Sequence, residues 1–207
     1  MTTTNTMKHI YKAGAQPDAP TILLLHGTGG TENDLVGLAE MIAPEAGMLG
    51  VRGNVSENGM PRFFRRLAEG VFDEEDLIAR TAELGAFVDA ASMEYGFDRS
   101  NVYALGYSNG ANIAASLIFH QADVFKGAML HHPMVPLRGL DLPDLKGLPV
   151  FIGAGENDPI VPRRETDELA SLLSGAGAEV HMHLERQGHQ LTRTEAEAAA
   201  AWFQAQA

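Results

Sequence analysis

The sequence contains no cysteine among its 207 residues. This absence excludes disulfide bonds, a thiolate metal site and a cysteine nucleophile, and it is consistent with a reducing compartment. Positive charge is also scarce, because 15 lysines and arginines face 27 acidic residues and leave a formal net charge of -12. Such a chain repels phosphate backbones and anionic membrane surfaces, so nucleic acid is not expected as a partner.

Long apolar stretches are missing as well. The longest apolar run near the start, Ile22–Leu25, is far below the roughly 20 residues that span a bilayer. The segment Met1–Tyr11 is polar and lacks the features of a secretory signal. We therefore expect a soluble cytoplasmic protein without membrane insertion. The length and the 45% hydrophobic content predict a single domain over residues 1–207.

Short apolar segments alternate with segments of helical period, which predicts the α/β class with a mostly parallel central sheet flanked by helices. The predicted strands are Thr21–Leu25, Met48–Val51, Val102–Leu105, Ala128–Leu130, Val150–Ile152 and Val180–Leu184, and the predicted helices are Asp34–Ala43, Asp76–Tyr95, Gly110–Gln121, Arg163–Gly175 and Thr192–Gln204. The aperiodic segment Gly53–Glu75 is expected to form an active-site loop or short lid rather than a large cap domain.

The segment Gly106-Tyr107-Ser108-Asn109-Gly110 has the G-x-S-x-G pattern between a predicted strand and a predicted helix. Small residues on both sides of Ser108 permit a sharp turn that exposes its Oγ at the helix N-terminus. The competing interpretation is a glycine-rich connection with an incidental serine. The context of strand, turn and helix favours Ser108 as a nucleophile.

A serine nucleophile needs a base and an orienting acid. Of the eight histidines, His189 lies in a loop between the last predicted strand and the last predicted helix, where a hydrolase places its histidine. Asp158 lies in a turn directly after Val150–Ile152, and Glu156 in the same turn is the alternative acid. The sequence thus predicts Ser108, His189 and Asp158 as a catalytic triad.

The loop His26-Gly27-Thr28-Gly29-Gly30 follows the first predicted strand. It offers the backbone N–H of Thr28 for an oxyanion hole, and the residue after the nucleophile, Asn109, offers the second N–H. The loop lacks the spacing of a phosphate-binding loop, so no nucleotide cofactor is expected. His26 itself is expected to be a structural hydrogen-bonding residue.

The substrate pocket is predicted from Gly27, Phe63, Phe64, Met134 and Ile160. For the aromatic residues of the long loop, packing in a satellite core is an equal alternative. Arg62, Arg65 and Arg66 could bind an anionic group or lie on the surface, and one residue of His131-His132-Pro133-Met134 could shape the pocket. His181 and His183 alternate on a strand without a third ligand, so no metal site is expected.

Together these motifs resemble the phospholipase/carboxylesterase branch of the α/β-hydrolases, which includes acyl-protein thioesterases. Val51-Arg52-Gly53, Arg62-Phe63-Phe64 and Glu69-Gly70-Val71-Phe72-Asp73 are most similar to the carboxylesterases associated with hydroquinone and aromatic-compound metabolism. The resemblance implies a cap-less esterase that needs no cofactor and no metal. Asn109 replaces the glutamine usual in thioesterase-like members, and Ser108 replaces the cysteine of dienelactone hydrolases.

The expected function is hydrolysis of small to medium carboxylic esters through an acyl-enzyme, with a small-molecule ester as partner. Activity should fall as His189 becomes protonated near or below pH ~6.5. The alternatives are an acyl thioesterase or lysophospholipase-like hydrolase, a peptidase or lactonase, and a non-catalytic small-ligand-binding member of the fold. A homodimer is a further expectation, based only on how common dimers are.

Overall fold

The computed structural model describes residues 7–206. Its centre is a seven-stranded sheet. The strands of this sheet are β1 (His9–Lys12), β2 (Thr21–Leu25), β3 (Gly47–Val51), β8 (Val102–Tyr107), β9 (Gly127–His131), β10 (Pro149–Gly155) and β11 (Glu179–Glu185). Their order is β1-β3-β2-β8-β9-β10-β11, in which β1 is antiparallel to β3 and every other pairing is parallel.

Helices cover both faces of the sheet. They are α1 (Val36–Ile42), α2 (Glu74–Tyr95), α3 (Asn109–His120), α4 (Arg163–Gly175) and α5 (Arg193–Gln204). One core cluster joins α2, α3 and α4 to the sheet, and a second joins α1 and α5 to the opposite face. The result is a three-layer α/β/α sandwich without a large cap.

Strand β2 shows why the predicted strands read as continuous apolar runs. Leu23 and Leu25 belong to the first core cluster, whereas Ile22 and Leu24 belong to the second. Successive side chains of a strand point to opposite faces, so a strand covered by helices on both sides must be apolar at every position. The register of β2 with β3 and β8 continues this arrangement across the sheet.

The structure confirms the predicted α/β fold and its mostly parallel sheet. Strand Thr21–Leu25 and helix Arg163–Gly175 have the predicted bounds, and most of the other predicted elements differ by one to three residues at an end. Sequence reasoning missed the edge strand β1, whose polar and apolar residues mix. It also missed two hairpins within the segment Gly53–Glu75, formed by β4 (Val55–Glu57) with β5 (Met60–Arg62) and by β6 (Arg66–Ala68) with β7 (Val71–Phe72).

Among the residues that the structure describes, no helix is both long enough and apolar enough to pass through a bilayer.

Candidate active site

Ser108 lies at the turn from β8 to α3, with φ 52° and ψ -112°. This positive φ is strained for a residue with a side chain. The backbone N–H of Ser108 donates to the carbonyl of His131 at 2.8 Å, which ties the turn to the end of β9. A β-carbon on Gly110 would lie 1.9 Å from the carbonyl oxygen of Leu25, so only glycine permits this approach. The predicted turn is present, with its serine at the first position before the helix.

His189 lies between β11 and α5, in the predicted loop. Its Nε2 lies 2.9 Å from Oγ of Ser108, and its Nδ1 lies 2.7 Å from Oδ2 of Asp158. The hydroxyl of Tyr107 donates to the carbonyl of His189 at 2.6 Å and anchors the loop. Sequence positions far apart are thus joined in a chain from serine to histidine to carboxylate, the arrangement that serine hydrolases use.

The Asp158 side chain is buried, with 1% of it exposed. Its Oδ1 accepts the backbone N–H groups of Ile160 at 2.8 Å and Val161 at 2.9 Å. Burial acts to raise the pKa of Asp158, but the hydrogen bonds from Val161, His189 and Ile160 outweigh it and lower the pKa. The alternative acid, Glu156, is exposed and lies 3.8 Å from Arg186. Asp158 is therefore the carboxylate that reaches His189.

Thr28 and Asn109 line the same cavity as Ser108. Oδ1 of Asn109 accepts the backbone N–H of Phe63 at 2.7 Å, and Oγ1 of Thr28 accepts from Nη1 of Arg62 at 2.5 Å. The two residues predicted to supply oxyanion donors are therefore both connected to the segment Gly53–Glu75. Both bonds use side-chain oxygens, so neither of them occupies the backbone N–H group of Thr28 or Asn109.

The buried side chain of His26 forms hydrogen bonds with the backbone of Gly27 and Gly53. Its Nε2 accepts the backbone N–H of Gly53 at 3.1 Å, so its proton lies on Nδ1, which donates to the carbonyl of Gly27 at 2.6 Å. Burial lowers the pKa of His26, and the backbone hydrogen bond to Gly27 only partly opposes this. The geometry agrees with the predicted hydrogen-bonding role.

The cavity at Ser108 has a volume of about 390 Å³. Its lining residues are Thr28, Arg62, Arg66, Glu69, Gly70, Phe72, Tyr107, Ser108, Asn109, Asn112, Met134, Ile160, Val161 and His189. Met134 and Ile160 lie where the sequence predicted them. Apolar groups and a few polar ones share the wall, as is usual in small-molecule sites.

Three pocket predictions need correction. Phe63 and Phe64 are 1% and 0% exposed and pack in the core cluster beneath α2 instead of lining the cavity. Gly27 also lies outside the lining, and a β-carbon there would come within 2.8 Å of the Tyr107 ring. Phe72, from the same long segment, takes a place in the wall and packs edge-on against Phe64. Periodicity could not tell which aromatic residues of a long loop point inward.

The three arginines of this segment differ in environment. Arg62 is 3% exposed and donates from Nε to the carbonyl of Phe64 at 3.1 Å, while Glu57 lies 3.2 Å from the same nitrogen. Arg66 binds Glu57 at 2.9 Å, whereas the exposed Arg65 pairs with Asp73 outside the cavity. Glu57 therefore offsets the positive charge of two arginines, and Arg62 supports the loop that carries Thr28.

Sequence reasoning missed a buried network behind the predicted triad. Nδ1 of His132 lies 3.0 Å from Oδ2 of Asp158, and Nε2 of His132 lies 3.1 Å from Oε2 of Glu195 in α5. His131 contacts the other oxygen of Glu195 through its Nδ1. Neither histidine lines the cavity. Adjacent histidines at a strand end were a visible signal, but their partner Glu195 lies more than 60 residues away in the sequence.

One group of side chains among residues 7–206 has the spacing to share a metal ion, namely His132, Asp158 and His189. In the structure these side chains bind one another, since both histidine Nδ1 atoms face Oδ2 of Asp158. The pair considered from sequence, His181 and His183, belongs to β11 instead. Both rings stack on Phe151, at centroid distances of 5.8 and 6.1 Å.

Comparisons with known proteins place the chain in a family of hydrolases. Residues 7–206 match the profile of a family described as phospholipase/carboxylesterase. The chain is 58% identical over 197 residues to MhqD of Bacillus subtilis (strain 168), named as a hydrolase, covering 95% of this chain and 98% of MhqD. The Bacillus cereus carboxylesterase has a TM-score of 0.96 at 60% identity, covering 97% and 95% of the two chains. A Mesorhizobium loti carboxylesterase has a TM-score of 0.85 at 33% identity, covering 89% and 88%.

Proposed function

The chain belongs to the phospholipase/carboxylesterase family of hydrolases, and from that membership we propose that it is a serine carboxylesterase acting on small to medium carboxylic esters. The observation that supports this most is the chain of hydrogen bonds from Ser108 through His189 to Asp158. The names of the similar Bacillus cereus and Mesorhizobium loti proteins agree with ester hydrolysis.

In the proposed reaction, Nε2 of His189 takes the proton of Ser108 as Oγ attacks the ester carbonyl carbon. Oδ2 of Asp158 accepts a hydrogen bond from the Nδ1–H of His189, which keeps its proton, and the carboxylate stabilises the imidazolium that forms. The backbone N–H groups of Thr28 and Asn109 stabilise the negative oxygen, and one such donor contributes about 3 kcal/mol in related enzymes. His189 then protonates the leaving alcohol, and an acyl-enzyme remains on Ser108.

In the second half of the proposed reaction, His189 takes a proton from water, and the resulting nucleophile attacks the acyl carbonyl. The carboxylic acid leaves as Oγ of Ser108 regains its proton. His189 takes part in every proton transfer of the proposed reaction. The cavity of about 390 Å³, with Met134 and Ile160 in its wall, suits an acyl group of modest size.

The test is hydrolysis of p-nitrophenyl esters from acetate to octanoate by the wild type and by Ser108→Ala. We expect turnover by the wild type with an optimum within the series, and a loss of roughly 10⁴-fold or more in the variant. The matched acyl-coenzyme A thioesters separate the thioesterase alternative, which requires faster turnover of the thioesters. Equal inertness of both proteins on every ester would favour the ligand-binding alternative.

A further inference from the structure

Oxygen Oδ2 of Asp158 is shared between two imidazole rings. It lies 2.7 Å from Nδ1 of His189 and 3.0 Å from Nδ1 of His132. The two rings are 5.2 Å apart between centroids. His132 is therefore a direct neighbour of the predicted catalytic acid, although it does not itself line the cavity.

The hydrogen-bond partners of His132 decide its protonation. Oδ1 of Asp158 accepts two backbone N–H groups, and these bonds help to lower the pKa of this carboxyl, so at neutral pH it is an ionised acceptor with no proton to donate. Glu195 is 1% exposed and accepts from the rings of both His131 and His132. An imidazole that faces carboxylates at both nitrogens must donate at both, and only the imidazolium form has two N–H groups.

The charges agree with this assignment. Burial acts to raise the pKa of Glu195, but its hydrogen bonds to His131 and His132 outweigh it and lower the pKa to about 2. Burial acts to lower the pKa of His132, but the hydrogen bonds and charges of Glu195 and Asp158 outweigh it and raise the pKa. At neutral pH the network thus contains a cation between two anions.

Several features of the backbone accommodate this network. His132 has φ 52°, an uncommon conformation for a residue with a side chain, and its N–H donates to the carbonyl of Gly153 at 2.7 Å. A β-carbon on Gly153 would lie 2.0 Å from Oε1 of Glu195. Strain and the burial of four ionisable groups oppose folding, and such costs concentrate at functional sites.

Groups from several elements face His132. Asp158 comes from the loop after β10, Glu195 from α5 and His189 from the loop after β11, while the Tyr107 ring at the end of β8 packs edge-on at 5.9 Å. His131 acts on His132 through the shared Glu195. Protonation of His189 would add a second cation that competes for the same oxygen of Asp158, and this repulsion is large in a buried site.

We propose that His132 is a positioning residue, which as a buried imidazolium orients Asp158 and disfavours a proton on Nε2 of His189. The proposal rests on the proposed function for its catalytic meaning. It predicts an esterase whose activity extends further into the acid range because of a residue outside the substrate cavity.

The experiment is ¹⁵N NMR of histidine-labelled protein, which distinguishes neutral from doubly protonated rings, combined with kcat/KM from pH 4.5 to 9. The variant is His132→Asn, because asparagine tolerates positive φ and keeps a donor near Asp158 while removing the charge. The control is His9→Asn on β1, at the far side of the sheet, where both ring nitrogens are also hydrogen-bonded. The charge of wild-type His132 is measured at pH 7 without any substitution, so this result does not depend on whether a variant folds.

We expect wild-type His132 to be doubly protonated at pH 7. We also expect the titration midpoint of His189 and the acidic half-maximum of kcat/KM to rise together by about one pH unit in His132→Asn. The His9→Asn control should show neither shift. A neutral His132 in the wild type at pH 7, or an unmoved His189 midpoint in the variant, would overturn the proposal. A shifted midpoint in a protein that hydrolyses no ester would instead refute the proposed function alone.

Discussion

A β-carbon placed on Gly153 would lie 2.0 Å from Oε1 of Glu195, closer than any real contact. Gly153 is in β10, and Glu195 is in the first turn of α5 on the adjacent layer. The carboxylate of Glu195 therefore occupies the space that a side chain at position 153 would need. This relationship connects the core of the sheet to the carboxylate behind the triad.

Gly153→Ala is expected to destabilise the protein by about 2–3 kcal/mol, because the methyl group must displace a buried carboxylate or bend the strand. The measurement is urea denaturation at pH 7. Gly37→Ala is the matched control, because a β-carbon there meets nothing within 4 Å and its residue lies in α1. That substitution should stabilise the protein by about 0.5–1 kcal/mol. Equal effects of the two alanines would contradict the steric assignment.

Glu195→Gln should lower the free energy of unfolding by about 3 kcal/mol at pH 7, because it leaves His132 with one carboxylate partner in a buried site. Since the pKa of Glu195 is depressed from 4.5 to about 2, its stabilisation is present above pH 4.5 and is lost as the pH falls toward 2. Denaturation curves of wild type and variant at pH 7, 5 and 3 should therefore converge in acid. A constant difference across these pH values would show that the charge of Glu195 is unimportant.

Arg62→Met should reduce kcat/KM by about 10-fold or more, since the loop carrying Thr28 loses its 2.5 Å hydrogen bond from Arg62 and one oxyanion donor becomes less ordered. The assay is hydrolysis of the best p-nitrophenyl ester. Arg65→Met serves as the control, because 62% of the Arg65 side chain is exposed and it pairs with Asp73 outside the cavity. An equal loss in both variants would mean that charge in general, and not the Thr28 contact, determines the rate.

Met134→Ala should move the preferred acyl chain to a longer ester, because it removes side-chain volume from the cavity wall. Phe63→Ala should instead lower stability by about 3–5 kcal/mol and leave the preference unchanged, since Phe63 is 1% exposed in the core. Measuring the ester series with both variants separates the pocket role of Met134 from the core role of Phe63. A changed acyl-chain preference in Phe63→Ala would show that Phe63 shapes the pocket.

Much of this molecule could be predicted from local sequence. Strands such as Thr21–Leu25 were visible because burial on both faces demands uninterrupted apolar residues. Ser108 was visible because its turn requires small neighbours in a fixed pattern. The chain order of hydrolases then selected His189 and Asp158, and the structure places all three side chains in contact.

Other features depend on contacts that no local pattern encodes. Strand β1 lies at a sheet edge, where His9 and Lys12 are accommodated without a continuous apolar run. Phe63 directly follows the first hairpin of the segment Gly53–Glu75 and is buried in the core, whereas Phe72 lies on the second hairpin and lines the cavity. The contact of His132 with Glu195 joins a strand end to a helix that looks, in sequence, like an ordinary alanine-rich segment.

The measurement that tests the central proposal most directly is labelling with a fluorophosphonate, followed by peptide mass spectrometry. Such reagents react with a serine that a neighbouring histidine activates. We predict a single adduct on Ser108 in the wild type and loss of labelling in His189→Ala, which removes the base 2.9 Å from Oγ. An adduct on any other serine, or no adduct on a folded wild-type protein, would contradict the assignment of Ser108 as the nucleophile.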